Sequence, residues 1–148
     1  MARFFIYPYF ARLGFMRYLG IDFGTKRVGL AISDELGMLA TPLEVVEIAK
    51  IRKRIGELID EKEISEIVVG KPKDGSNMDQ ELKEFVAQIS LETMLPVHMQ
   101  NEEFTSVFAD QYRDYEKPRA RQTKKDTTKK KDESAAAIIL QRFLDKQK

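Results

Sequence analysis

Two apolar strand patterns lie only four residues apart near the start of this chain. Residues 17–22 (Arg17-Tyr18-Leu19-Gly20-Ile21-Asp22) and 27–33 are joined by Phe23-Gly24-Thr25-Lys26. A connection that short cannot carry a crossover helix, so the strands must pair antiparallel as a hairpin, with glycine supplying the turn. A third strand is expected over about 43–48, after a turn at Thr41-Pro42, and completes a meander. Over residues 49–63 the apolar spacing changes to Ile51, Ile55, Leu58 and Ile59, the i, i+4, i+7, i+8 rhythm of an amphipathic helix. Glu66-Ile67-Val68-Val69-Gly70 then reads as a buried parallel strand reached through that crossover. A second helix starts near Ser76 and buries Met78, Leu82, Phe85, Val86 and Ile89. Residues 96–100 form the last strand, Thr105 or Ser106 caps a helix to about Tyr115, and residues 135–146 form the final helix. The pattern βββαβαβα predicts an α/β fold, a mixed five-stranded sheet with helices on its faces.

With 148 residues, 43% of them hydrophobic and 33% charged, the chain suits one folded domain rather than a disordered segment. Its near-zero net charge hides an asymmetry. Residues 117–131 hold eight Lys or Arg against the single Asp126, leaving 17 basic residues against 23 acidic ones elsewhere. This stretch has almost no apolar residues and is expected to be a solvated loop. Zero cysteines and the lone His98 exclude thiolate and multi-histidine metal sites, so oxygen ligands remain. No run of about 18 apolar residues spans a bilayer, and a cytoplasmic location without membrane partners is expected. Residues 1–15 carry six of the fourteen aromatics and are read as a non-core N-terminal extension, with residues 16–148 as the folded domain.

Three acidic positions stand at the edges of these elements. Asp22 ends the first strand, Glu102 follows the last strand, and Asp132 precedes the final helix. Together they could hold a divalent cation. Each has a simpler reading as well. Asp22 could be a turn residue, Glu102 has Glu103 beside it as an equal candidate, and Asp132 has the look of a helix N-cap, with Glu133 as its neighbour.

The stretch Gly20-Ile21-Asp22-Phe23-Gly24-Thr25-Lys26-Arg27-Val28-Gly29-Leu30-Ala31 closely resembles the first motif of the YqgF family, pre-16S rRNA nucleases also described as Holliday junction resolvase-like proteins. Val68-Val69-Gly70-Lys71-Pro72-Lys73-Asp74-Gly75-Ser76 is similar to the family's second block. Asn101-Glu102-Glu103-Phe104-Thr105-Ser106 is similar to its acidic block, and Asp132 to Gln141 to its C-terminal block. The resemblance runs from about Met16 to the end. It implies a ribonuclease H-like fold, in which the first strand, the last strand and the final helix meet at one end of the sheet. There Asp22, Glu102 and Asp132 would converge as catalytic metal ligands. The implied chemistry is phosphodiester hydrolysis with two Mg²⁺ or Mn²⁺ ions about 4 Å apart. The acidic block departs from the family, which more often has an acid, Glu and then Arg where this chain has Asn101, Glu102 and Glu103.

Nucleic acid is the expected partner, with RNA favoured and junction DNA as the alternative. The candidate phosphate contacts are Lys26, Arg27 and Lys71 in the motif loops, and Lys124, Lys125, Lys129, Lys130 and Lys131 in the basic segment. Two competing readings remain. Asp22-Phe23-Gly24-Thr25 also looks like the phosphate-binding hairpin of sugar-kinase and actin-like ATPases, which need a second lobe that a single domain lacks. A non-catalytic ribosome-assembly role would use the basic segment and leave the carboxylates structural.

Overall fold

The computed structural model describes residues 14–71, 78–101 and 124–147, with side chains at 14–71, 79–101 and 135–147. Strands β1 (Tyr18–Asp22), β2 (Arg27–Ser33) and β3 (Ala40–Glu47) form the meander. A 3-10 turn (Ile48–Lys50) leads into α1 (Ile51–Lys62), followed by β4 (Glu66–Lys71), α2 (Met78–Thr93), β5 (Val97–Asn101) and α3 (Lys124–Lys146). The sheet order is β3-β2-β1-β4-β5, with β1 antiparallel to β2 and parallel to β4, and β4 parallel to β5. This is the mixed ribonuclease H-like sheet. The helix expected from Thr105 or Ser106 to Tyr115, the Ser76 helix start and the N-terminal extension up to residue 13 lie outside the described residues.

Alternation along β1 divides its side chains between two cores. Leu19 and Ile21 join Val28, Leu30, Ile67 and Val69 beneath α1 and α2. The helix rhythm is met residue for residue, since Ile51, Ile55, Leu58 and Ile59 are all buried there. Each such side chain removed from water contributes about 1.5–3 kcal/mol. Arg54 ties α1 to the sheet through Glu44 at 2.8 Å, and Arg52 pairs with Glu92 of α2. The other face carries Ala31, Val68, Ala136, Ile139, Leu140, Phe143 and Leu144, with Tyr18 packed at its margin. Burial, and then the Glu66 carboxylate, push the Tyr18 phenol above its ordinary range.

Two expectations need correction. Strand β3 begins at Ala40, so Thr41-Pro42 lies inside it rather than forming a turn before it. Proline lacks an N–H donor and is tolerated here because β3 is an edge strand whose register slips beside Leu30 and Ala31. The larger correction concerns α3, which starts at Lys124 and not at residue 135, so residues 124–131 are helical rather than a loop. Lysine is a good helix former, and extending a helix already nucleated on the sheet costs little per residue. An apolar stripe is needed only where the helix meets the sheet.

Candidate active site

Asp22 closes β1 at the carboxyl edge of the parallel strands, where Lys71 of β4 pairs with Asn101 of β5. Being two residues beyond Gly20, it shares the α3 side of the sheet. Its cross-strand partner in β2 is Gly29, and the parallel register, with Ile21 opposite Val69, brings Gly70 of β4 next to it. Neither flanking residue has a side chain. The half-buried carboxylate therefore opens onto a pocket of about 220 Å³ lined by Asp22, Phe23, Gly24, Thr25, Lys26, Arg27 and Gly29.

The β1–β2 turn is anchored on the opposite face. Phe23 is buried and its ring lies 4.8 Å from that of Phe85 in α2. A Cβ at Gly24 would fall 2.4 Å from the Arg27 carbonyl oxygen, so this turn closes only around glycine. Thr25, Lys26 and Arg27 are left exposed beside Asp22, and Lys71 is exposed at the same sheet edge. The structure thus brings together three of the residues expected to form the site, Asp22, Lys26 and Arg27. Lys71, at the same sheet edge, shares the strand parity of Val69 and so belongs to the α1 and α2 side.

Helix α3 runs antiparallel to β1. Phe143 packs on Tyr18 with ring centroids 5.6 Å apart, while Leu140 and Ala136 lie against Gly20. Four residues of helix rise about 6 Å and two residues of strand about 6.7 Å, so the two elements keep step. Asp132 stands one turn before Ala136, on the part of the helix that runs toward Asp22. It is eight residues inside α3, and so cannot be the N-cap of that helix. Lys124, Lys125, Lys129, Lys130 and Lys131 occupy the helix before it.

Glu102 and Glu103 lie outside the described residues, as does the loop 72–76. Strand β5 runs up to them, with Gln100 opposite Gly70 and buried. His98 stands away from the site. Its Nε2 is 2.7 Å from Glu66 Oε2, and its ring is 4.8 Å from that of Phe143. Among the described residues no three carboxylate or imidazole side chains cluster. The donor that is described, Asp22, offers hard carboxylate oxygen at the mouth of an open pocket, which suits Mg²⁺ or Mn²⁺ and not a thiophilic ion.

Two features of the site carry little signal in the sequence. Gly20 opens the first motif block there and otherwise reads as part of an apolar strand, although a glycine inside a strand can mark close approach by another element. Gln141 lies in the C-terminal block, yet its amide holds α3 to the meander. Its Oε1 accepts from Ala40 N at 2.8 Å, and its Nε2 donates to the Met38 carbonyl at 3.0 Å.

A protein of Oenococcus oeni named "Putative pre-16S rRNA nuclease" is 36% identical over 140 residues, covering 88% of this chain and 95% of that protein. A protein of the same name from Lachnospira eligens is 39% identical over 143 residues, covering 88% and 97%. The RuvC of T. thermophilus in complex with a Holliday junction substrate superposes with a TM-score of 0.58 at 18% identity, over 89% of this chain and 95% of that one, a likeness of fold. A family model, RuvX, described as Holliday junction resolvase, matches residues 16–146. Matched over nearly its whole length by that model and by these relatives, the chain belongs to the RuvX family of nucleases.

Proposed function

We propose that this protein is a metal-dependent endonuclease that hydrolyses phosphodiester bonds in an rRNA precursor, with residues 16–148 as its catalytic unit. The observation that carries the reading is the antiparallel seating of α3 on β1, which brings the Asp132 turn toward the Asp22 end of the sheet. Asp22, Glu102 and Asp132 would hold Mg²⁺ or Mn²⁺. When bound, such ions lower the pKa of attacking water and stabilise charge on the attacking and leaving oxygens.

The chain's own residues do the rest. The glycines beside Asp22 leave room for a phosphate to approach the carboxylate. Lys26, Arg27 and Lys71 stand at the same edge to neutralise the nucleic-acid backbone and orient the scissile bond. The names of the relatives support an RNA substrate, and the family description supports a four-way DNA junction as the alternative. Incubating labelled pre-16S RNA fragments and junction DNA with the protein, with and without Mg²⁺ or Mn²⁺ and alongside an ATPase assay, separates these. Metal-dependent RNA cleavage is the expected result; junction cleavage alone, or ATP hydrolysis without either, overturns the reading.

The basic half of α3 is expected to set binding rather than chemistry. Replacing Lys129, Lys130 and Lys131 with Gln should weaken RNA binding and flatten the dependence of log K on log salt, by roughly 0.7 for each phosphate that is no longer neutralised. The rate at saturating RNA should change little. An unchanged salt slope, measured by fluorescence anisotropy, would show that these ammonium groups do not touch the backbone.

A further inference from the structure

We propose that Gly20 and Gln141 are positioning residues of the nuclease site. Together they set the depth and register of α3 on β1, and so how the turn bearing Asp132 meets Asp22. This rests on the assignment of those two carboxylates proposed above.

Gly20 is buried in the central strand, and a Cβ there would stand 2.7 Å from Leu140 Cβ and 3.1 Å from the Ala136 carbonyl oxygen. Ordinary contacts of this kind lie at 3.4–4 Å. Neither obstacle is the free end of a flexible side chain, so no change of rotamer makes room. Any larger residue must lift α3 by roughly 1 Å, because close-packed interiors hold little spare volume. The contact is two residues from Asp22 along the strand, and one turn from Asp132 along the helix. Both elements are stiff, so the displacement reaches the site with little loss.

Gln141 fixes the helix at a second point, two strands away. Its amide bridges the Met38 carbonyl and the Ala40 N–H at the start of β3, and also donates to Asp145 Oδ1 at 3.0 Å. One contact sets the approach of α3 to the sheet, and the other resists its sliding and rolling. Neither residue needs to touch substrate.

The test must separate positioning from simple loss of stability. Gly56 lies inside α1 on the other face, with nothing within 4 Å of a Cβ built there. Gly56→Ala should therefore raise stability through helix propensity alone and leave cleavage unchanged. Gly20→Ala is made in that background. Turnover and KM are measured on labelled RNA across a range of Mn²⁺ concentrations, and the Mn²⁺-induced rise in Tm is measured on the protein alone.

Expected is a fall in kcat of roughly 100-fold, as about 1 Å of misplacement gives, with KM changed less than about threefold. The Tm response to Mn²⁺ should need more metal than in the wild type. Gln141→Ala should act in the same direction by about tenfold, as removal of an outer support does. Recovery of activity together with stability in the Gly56→Ala background would make Gly20 a packing residue only and overturn the proposal. Should Gly20→Ala fail to fold, Gln141→Ala decides: reduced kcat at constant KM supports the proposal, and wild-type kcat overturns it. Asp22→Asn is run in parallel. Wild-type cleavage by that variant would locate the failure in the carboxylate assignment itself, and the proposal would fall with it.

Discussion

Asp22→Asn is expected to reduce cleavage by at least about 1000-fold while leaving the fold in place. Losing one ligand removes several kcal/mol of transition-state stabilisation, and each 1.36 kcal/mol is about tenfold in rate. The side chain is half-buried at a strand end rather than packed in either core, so the metal-free Tm should stay within about 3 °C of the wild type. Clustered carboxylates repel one another when no cation lies between them, so a small rise in Tm is the expected sign. Metal should then separate the two proteins. At 100 times its dissociation constant, an ion that binds only the folded state adds about 2.7 kcal/mol, or roughly 5–10 °C in a chain of this size. The wild type should show that shift in Mn²⁺ and the variant should not. Equal shifts would place the ion elsewhere, and wild-type cleavage by the variant would remove Asp22 from the chemistry.

The sheet and its helices were legible because their signals are local. The four-residue β1–β2 connection forces antiparallel pairing, and Ile51, Ile55, Leu58 and Ile59 all point to one side of α1. The place of Asp22 at the sheet edge was legible for the same reason, since it is an acidic residue at the end of an otherwise apolar strand. What could not be read were properties of two elements taken together. Pro42 within β3 is acceptable only because β3 is an edge, and that is decided by the strand order. The helical start of α3 carries no apolar periodicity, because residues 124–134 are all polar, and a polar stretch of good helix formers looks the same as a solvated loop. Gly20 and Gln141 gain their meaning from α3 lying antiparallel across β1 and reaching Ala40. Nothing within four or five residues of either position announces that.

The second large effect is expected at Glu102 and not at its neighbour. In β5 the His98 ring packs on Phe143 of α3 and Gln100 is buried opposite Gly70, whereas Val97 packs into the core beneath α1 and α2. Even-numbered positions of β5 thus belong to the side of the sheet that carries Asp22. Were that alternation to continue past Asn101, Glu102 would share the parity and Glu103 would not, since successive strand residues face opposite ways. Glu102→Gln should therefore lower kcat by about 1000-fold and shrink the Mn²⁺-induced shift in Tm, as removal of a ligand does. Glu103→Gln should keep kcat within about threefold and lower KM for RNA, because it removes a negative charge near the incoming phosphates. Single-turnover cleavage with saturating protein, together with a titration of RNA binding, measures the two quantities separately. A reversed outcome, with Glu103→Gln inactive and Glu102→Gln active, would move the ligand by one residue. It would also mean that the chain leaves the β5 alternation immediately after Asn101.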